Sequence, residues 1–178
     1  MLLHCCCAPC AGYAFEYLSP FYILTALFYN PNISPGEEFE KRAGEFEKLL
    51  KSAQYPNHVE VLMCGRDPGK FEAVAAPFSD EPEGGLRCRL CFELRLGETA
   101  DRAKKGGYDC FATTLSVSPH KNALILGEIG ESLAEKHGVS YQHLDLKKRG
   151  GYKRSVELSK LYGLYRQNYC GCRPHGLR

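Results

Sequence analysis

The chain has 178 residues, 44% hydrophobic and 25% charged, a balance typical of a globular chain that buries one substantial core. No stretch approaches the roughly 20 apolar residues that span a bilayer, which excludes a transmembrane helix. The net charge of +2 hides an asymmetry: Lys147 to Arg178 holds nine Lys/Arg and one acid, Glu157, a net +8 that leaves −6 for the first 146 residues, so only this last segment suits a polyanion.

Along the chain, β-type apolar runs alternate with helical periodicity in the order βαβαβα, which predicts one α/β domain with a parallel sheet covered by helices on both faces. Met1-Leu2-Leu3-His4 lacks the basic region and long apolar core of a secretory signal, which predicts a cytoplasmic protein. A first strand is expected over Leu2 to Cys5 and a helix over Cys10 to Leu18, with Pro9 near its first turn. Phe21 to Phe28 is almost continuously apolar, as in a strand buried on both faces. Phe39, Ala43, Phe46, Leu49 and Leu50 then recur at helical spacing. His58 to Met63 reads as a third strand, and the Gly/Pro-rich stretch around Arg66-Asp67-Pro68-Gly69 and Asp80 to Gly85 as an irregular excursion before the next helix. A helix over Cys88 to Lys105 ends at Gly106-Gly107, followed by a strand over Tyr108 to Thr114. A helix over Asn122 to Lys136 stops at Gly138, before a strand over Val139 to Leu144. The basic segment 147–178 is predicted helical from Ser155 to about Tyr169, with Leu158, Leu161, Tyr162, Tyr165 and Tyr169 on one face. Tyrosines interleaved with bases suit phosphate contact and base stacking in single-stranded RNA; equally, those rings could pack on a core beneath a solvated basic face.

The chain has ten cysteines, and in a reducing compartment they read as metal ligands or redox groups rather than as a disulfide scaffold. His4-Cys5-Cys6-Cys7-Ala8-Pro9-Cys10 falls where the first strand hands over to the first helix. There ligands collect in doubly wound sheets, and a helix N-terminus favours thiolates. No Walker A or G-x-G-x-x-G pattern occurs, so neither ATP nor NAD is predicted. Cys88-Arg89-Leu90-Cys91 places two sulfurs one turn apart, able to chelate a metal or form a redox disulfide. Together the two clusters offer four soft ligands. Adjacent Cys6 and Cys7, whose side chains are expected to diverge, suit the separate irons of a cubane better than one tetrahedral zinc. Cys170-Gly171-Cys172 reads as a strained redox dithiol, or alternatively as further ligands or inert thiols. Cys5, Cys64 and Cys110 read as packing residues, and His58, His137 and His143 as lone histidines without metal spacing.

Further motifs join these: Phe28-Tyr29-Asn30-Pro31-Asn32-Ile33 with Glu38 and Arg42; Glu81 to Phe92; Thr113-Thr114-Leu115; Ser118-Pro119-His120-Lys121-Asn122; Asp145; Gly151-Tyr152; Arg154-Ser155; and Leu164-Tyr165-Arg166-Gln167. With the three cysteine motifs, they make the chain resemble the QueH-type epoxyqueuosine reductases over nearly its whole length. Only Cys5, at a free position of the first pattern, and Arg173-Pro174-His175-Gly176 stand apart.

The resemblance implies a Rossmann-like fold similar to the adenine nucleotide α-hydrolases without their ATP loop. It implies a 4Fe-4S cluster on Cys6, Cys7, Cys88 and Cys91, and a redox-active pair in Cys170 and Cys172. A further mononuclear iron is an option, with Cys10 as first candidate ligand and Asp145 as a weaker one. Lys121, Tyr152, Arg154, Tyr165 and Arg166 are the implied substrate-binding residues. The implied substrate is epoxyqueuosine in the anticodon stem-loop of tRNA, reduced to queuosine with an external electron donor and a proton from Asp145, His120 or Tyr152. Two readings without that chemistry stand beside it: a zinc-stabilised RNA-binding module, and a thiol–disulfide oxidoreductase using Cys88 and Cys91.

Overall fold

A computed structural model describes residues 1–172, the side chain of Arg149 excepted. Five strands, β1 (Leu2–His4), β2 (Leu24–Phe28), β3 (Val59–Met63), β4 (Cys110–Thr113) and β5 (Ser140–Tyr141), form one all-parallel sheet in the order β3-β2-β1-β4-β5. The helices are α1 (Ala8–Leu18), α2 (Gly36–Ser52), α3 (Pro68–Ala75), α4 (Leu86–Lys105), α5 (Ala123–His137) and α6 (Gly151–Leu161).

Strand alternation assigns the two faces. Leu3, Ala26, Phe28, Cys110 and Ala112 meet Phe15 of α1, Phe46 and Leu49 of α2, and Leu158 of α6 in one core. Leu2, Leu27 and Phe111 point the other way, against Ala100 and Ala103 of α4 and partly buried Leu133 and Ala134 of α5. The predicted α/β sheet with helices on both faces is therefore the fold observed. Among the described residues, no helix is long and apolar enough to cross a membrane.

Several boundaries differ from expectation. The second strand starts at Leu24 rather than Phe21, because Phe21 lies in the turn after α1 and Ile23 in the link to the strand, where they are 74% and 80% exposed. The first strand ends at His4, and the last is only Ser140–Tyr141. The stretch after Arg66 is not wholly irregular: Pro68 opens α3, where its missing N–H is harmless. The final helix runs from Gly151 to Leu161 and does not reach Tyr169. Gly163 in the left-handed region (φ 59°) turns the chain away, and Leu161 is 69% exposed. The segment after Gly163 is thus not the helical tail that its apolar spacing suggested. Arg173-Pro174-His175-Gly176 lies outside the described residues.

Candidate metal centre

β1 delivers the first cysteines to the carboxyl end of the sheet, where the chain turns directly into α1. Cys7 is the N-cap, its carbonyl accepting from Ala11 N at 3.1 Å, and Cys6 N donates to Thr114 Oγ1 at 3.4 Å beyond β4. Extended backbone at Cys7 and the first helical turn at Cys10 bring three sulfurs together. Those of Cys6, Cys7 and Cys10 all lie within 4.8 Å of one another, with Cys6 and Cys7 3.7 Å apart. Adjacent side chains therefore converge here, contrary to the divergence expected from alternation. Sulfurs on one tetrahedral zinc are about 3.8 Å apart for a Zn–S bond of about 2.3 Å, so adjacency does not discriminate zinc from iron–sulfur. The trio can hold a metal.

Its electrostatics favour one thiolate shared among three sulfurs. Hydrogen bonds from Cys10 and Cys7 hold Cys6 well below the usual thiol range, helped by the charge on Arg95. Cys10 lowers Cys7, but the Cys6 bond and burial outweigh it and push Cys7 up to about 11. Hydrogen bonding to Cys6 and Cys7 and burial raise Cys10 as well. Cys5 stays out of this set, fully buried in the core with its Sγ toward Leu3 O.

The second pair sits at the start of α4. Gly84, at φ 96°, turns the chain so that its N–H reaches Cys88 Sγ at 3.3 Å, and a side chain on Gly85 would strike the Glu81 carboxylate. Cys88 shares an apolar cluster with Phe92, Leu96 and Leu115, against which Cys6 packs. Cys91, one turn on, packs with Phe71 and Ala75 and against Cys172.

Cys170 and Cys172 lie with their sulfurs 3.4 Å apart. Their loop is pinned by Ser34 N to Gly171 O (2.8 Å) and by Arg87 Nη2 to Cys172 O (2.6 Å). Gly171 is needed for close approach: a Cβ there would come within 3.1 Å of both Arg42 Nη1 and Ile33 Cγ1. The Cys172 hydrogen bond, opposed by burial and aided by Lys121, holds Cys170 well below its usual range. Lys121 Nζ lies 3.9 Å from Cys170 Sγ and donates to Glu83 at 2.7 Å.

Of these thiols, Cys6, Cys7, Cys10, Cys88, Cys170 and Cys172 line one cavity of about 960 Å³, and Cys91, packed with Phe71 and Ala75, does not. Its wall is basic, with Arg42, Arg87, Arg95, Lys121 and Arg166, and includes His120 and Tyr152. Four residues of the wall carry a buried polar atom without a partner: Asn32 Oδ1, Arg42 Nη2, Arg87 Nε and Gln167 Oε1. Such unspent hydrogen-bonding capacity is costly unless a polar ligand or water meets it.

Of the predicted substrate-binding residues, Lys121, Tyr152 and Arg166 line this cavity, and Arg154 and Tyr165 do not. Arg154 forks onto Glu16 at 2.8 Å through two nitrogens, whereas Tyr165 takes its backbone bond to Glu45 and stacks beneath Lys41. Asp145, the weaker iron candidate, pairs with Lys148 at 3.3 Å and is absent from the lining. Arg42, Asn32 and Gln167 were visible only as motif letters. Arg95, four residues after Cys91 and seven after Cys88, shares their helix face, the one sequence signal that could mark it.

A profile of the family described as Epoxyqueuosine reductase QueH matches residues 1–174. Epoxyqueuosine reductase QueH of Streptococcus pyogenes serotype M1 is 40% identical over 174 residues, covering 97% of this chain and 68% of its own. The protein of that name from Thermotoga maritima is 37% identical over 180 residues, with 97% and 88% covered. That from Dehalococcoides mccartyi is 36% identical over 173 residues, with 97% and 90% covered.

Proposed function

Because the chain belongs to the epoxyqueuosine reductase QueH family, a family of oxidoreductases, we propose that it reduces epoxyqueuosine to queuosine in the tRNA anticodon loop with an iron–sulfur cluster. The observation that carries this reading is the convergence of three cysteine groups, distant in sequence, on one basic cavity. Cys6, Cys7, Cys88 and Cys91 would hold the cluster, and Cys10, whose sulfur lies within 4.8 Å of those of Cys6 and Cys7, would ligate a further iron. When bound, such a cluster supplies single electrons at low potential, and a neighbouring ferrous ion supplies a Lewis acid for oxygen.

The reaction consumes two electrons and two protons and converts the epoxide into an alkene and water. Oxidation of the Cys170–Cys172 pair to a disulfide releases the two electrons, and with Cys170 as thiolate one proton, from Cys172, the second proton being drawn from solvent, which fits this pair to relay electrons from an external donor. The Cys172 hydrogen bond, aided by Lys121 Nζ at 3.9 Å, holds the Cys170 thiol below its usual range and favours its thiolate form beside the cavity. The Tyr152 hydroxyl and the His120 ring, both on the wall, are the groups able to present a proton to the leaving oxygen. Asn32, Arg42 and Gln167 bind polar edges of the modified base, and exposed Lys148, Lys153 and Lys160 contact phosphates of the stem. A zinc-stabilised RNA-binding module is not favoured by an oxidoreductase family.

The test is anaerobic reconstitution with iron and sulfide, followed by conversion of epoxyqueuosine-containing tRNA with a chemical reductant. Visible colour with stoichiometric sulfide and product formation is expected; a colourless protein holding only zinc would sink the reading. The proximity of Cys10 to Cys6 and Cys7 supports a second ligand set, that trio with one of the α4 cysteines. Cys10→Ala should keep the colour if Cys88 and Cys91 both ligate, and lose it if Cys10 replaces one of them.

A further inference from the structure

Arg95 is a buried cation with no acid beside it. Only 4% of it is exposed, and among the described residues none of the ion pairs involves it. Arg42, equally buried, has Glu38 at 2.6 Å. The partners of Arg95 are neutral or sulfur: Nη2 donates to Asn30 Oδ1 at 2.6 Å, Nε to His4 Nε2 at 3.3 Å, and Nη1 approaches Cys91 Sγ at 3.9 Å. An imidazole supplies no negative charge: His4 Nε2 faces both Arg95 Nε and the Tyr29 carbonyl, the latter at 3.1 Å, and Nδ1 faces Thr113 Oγ1 at 2.9 Å. A guanidinium taken out of water without an anion is strongly disfavoured, so its counter-charge has to be supplied by something the fold brings to it.

Sulfur is the group within reach. Arg95 Nη1 approaches Cys91 Sγ on its own helix at 3.9 Å and lines the same cavity as Cys6 and Cys7, so it adjoins both halves of the proposed ligand set. We infer that Arg95 is the built-in counter-charge of the sulfur-bound metal centre, a positioning residue that steadies the anionic thiolate cage and raises its reduction potential without touching substrate. This rests on the iron–sulfur reading above. A cation beside the centre stabilises the more negative, reduced state, and N–H···S contacts act in the same direction. Asn30 and His4 hold the fork in place, Asn30 itself being tied by its Nδ2 to Cys5 O at 3.0 Å.

The experiment compares wild type, Arg95→Lys and Arg95→Gln, each the full chain reconstituted anaerobically, by iron and sulfide content and by redox titration of the visible absorption. Arg95→Gln should shift the midpoint potential negative, and Arg95→Lys, which keeps the charge, should recover most of that shift. Poor loading of the Gln variant with normal loading of the Lys variant equally supports a counter-charge. An unchanged potential at wild-type iron content in Arg95→Gln would overturn the inference, as would equal loss of loading in both variants, which marks a purely packing role. A wild-type protein that takes up no iron and sulfide fails the reading beneath it instead.

Discussion

Replacing Glu38 by Gln removes the one acid that neutralises Arg42, and the structure sets the size of the effect. Both side chains are only 6% exposed, Arg42 Nε donates to Glu38 Oε1 at 2.6 Å, and Tyr165 Oη approaches the same carboxylate at 3.4 Å. Breaking a buried pair by removing one partner costs about 3–5 kcal/mol, and since the Gln carbonyl still accepts a hydrogen bond the lower end, about 3 kcal/mol, is expected. The same i,i+4 pair on a solvated face would be worth only about 0.3–0.5 kcal/mol. Denaturant unfolding under anaerobic reducing conditions separates these values. Glu38→Gln/Arg42→Met, which replaces the pair rather than halving it, should be more stable than Glu38→Gln alone. Burial alone would raise the Glu38 pKa, but hydrogen bonds from Tyr169 and Arg42 outweigh it and hold the carboxyl below its usual range. A depressed carboxylate contributes stability above its unfolded pKa of about 4.3, and that contribution is lost as pH falls below it. Glu38→Gln should therefore flatten the acid limb of the stability profile. A cost under about 1 kcal/mol, with that limb unchanged, would refute the buried-pair reasoning.

Phe46→Ala should cost about 3–5 kcal/mol in the same unfolding assay, because the ring is fully buried and packs on Phe15 and Phe28 with centroids 6.1 and 5.3 Å away. Asn122→Ala removes the cap whose Oδ1 accepts from Leu124 N at 2.9 Å, and should cost about 1 kcal/mol while leaving metal content unchanged. Cys170→Ser should retain the iron content measured by colorimetric assay but lose multiple turnover with tRNA; full turnover would remove the pair from the electron route.

Much of this architecture was legible because its signals are local. An almost continuous apolar run locates β2, helical spacing locates α2 and glycine stops locate the ends of α4 and α5, each within a few residues, and the cysteine loop falls where a βα junction must place it. The end of the last helix was misread because Leu158, Leu161, Tyr162, Tyr165 and Tyr169 keep helical spacing, yet Gly163 breaks the backbone and that periodicity carries no helix beyond it. Pro68 looks like punctuation in a Gly/Pro-rich stretch, yet proline at a first helical turn starts a helix as readily as it ends one. The resemblance implies substrate binding for Arg154, and its fork onto Glu16, 138 positions away, leaves no local signal in the sequence. Arg95 is similarly quiet: on a charged helix one more arginine reads as solvated, and only burial against His4 and Asn30, far away in the chain, makes it unusual.

The central position of β1 has a consequence for how the protein is made. His4 and Thr113, hydrogen-bonded across neighbouring strands, are 109 positions apart, so translation at about 5–20 residues per second leaves the first cysteine loop without its β4 wall for roughly 5–20 s. Throughout that interval a nascent cluster of easily oxidised thiols has no shelter. Refolding yield should therefore depend more on reductant present while the chain collapses than on reductant added afterwards.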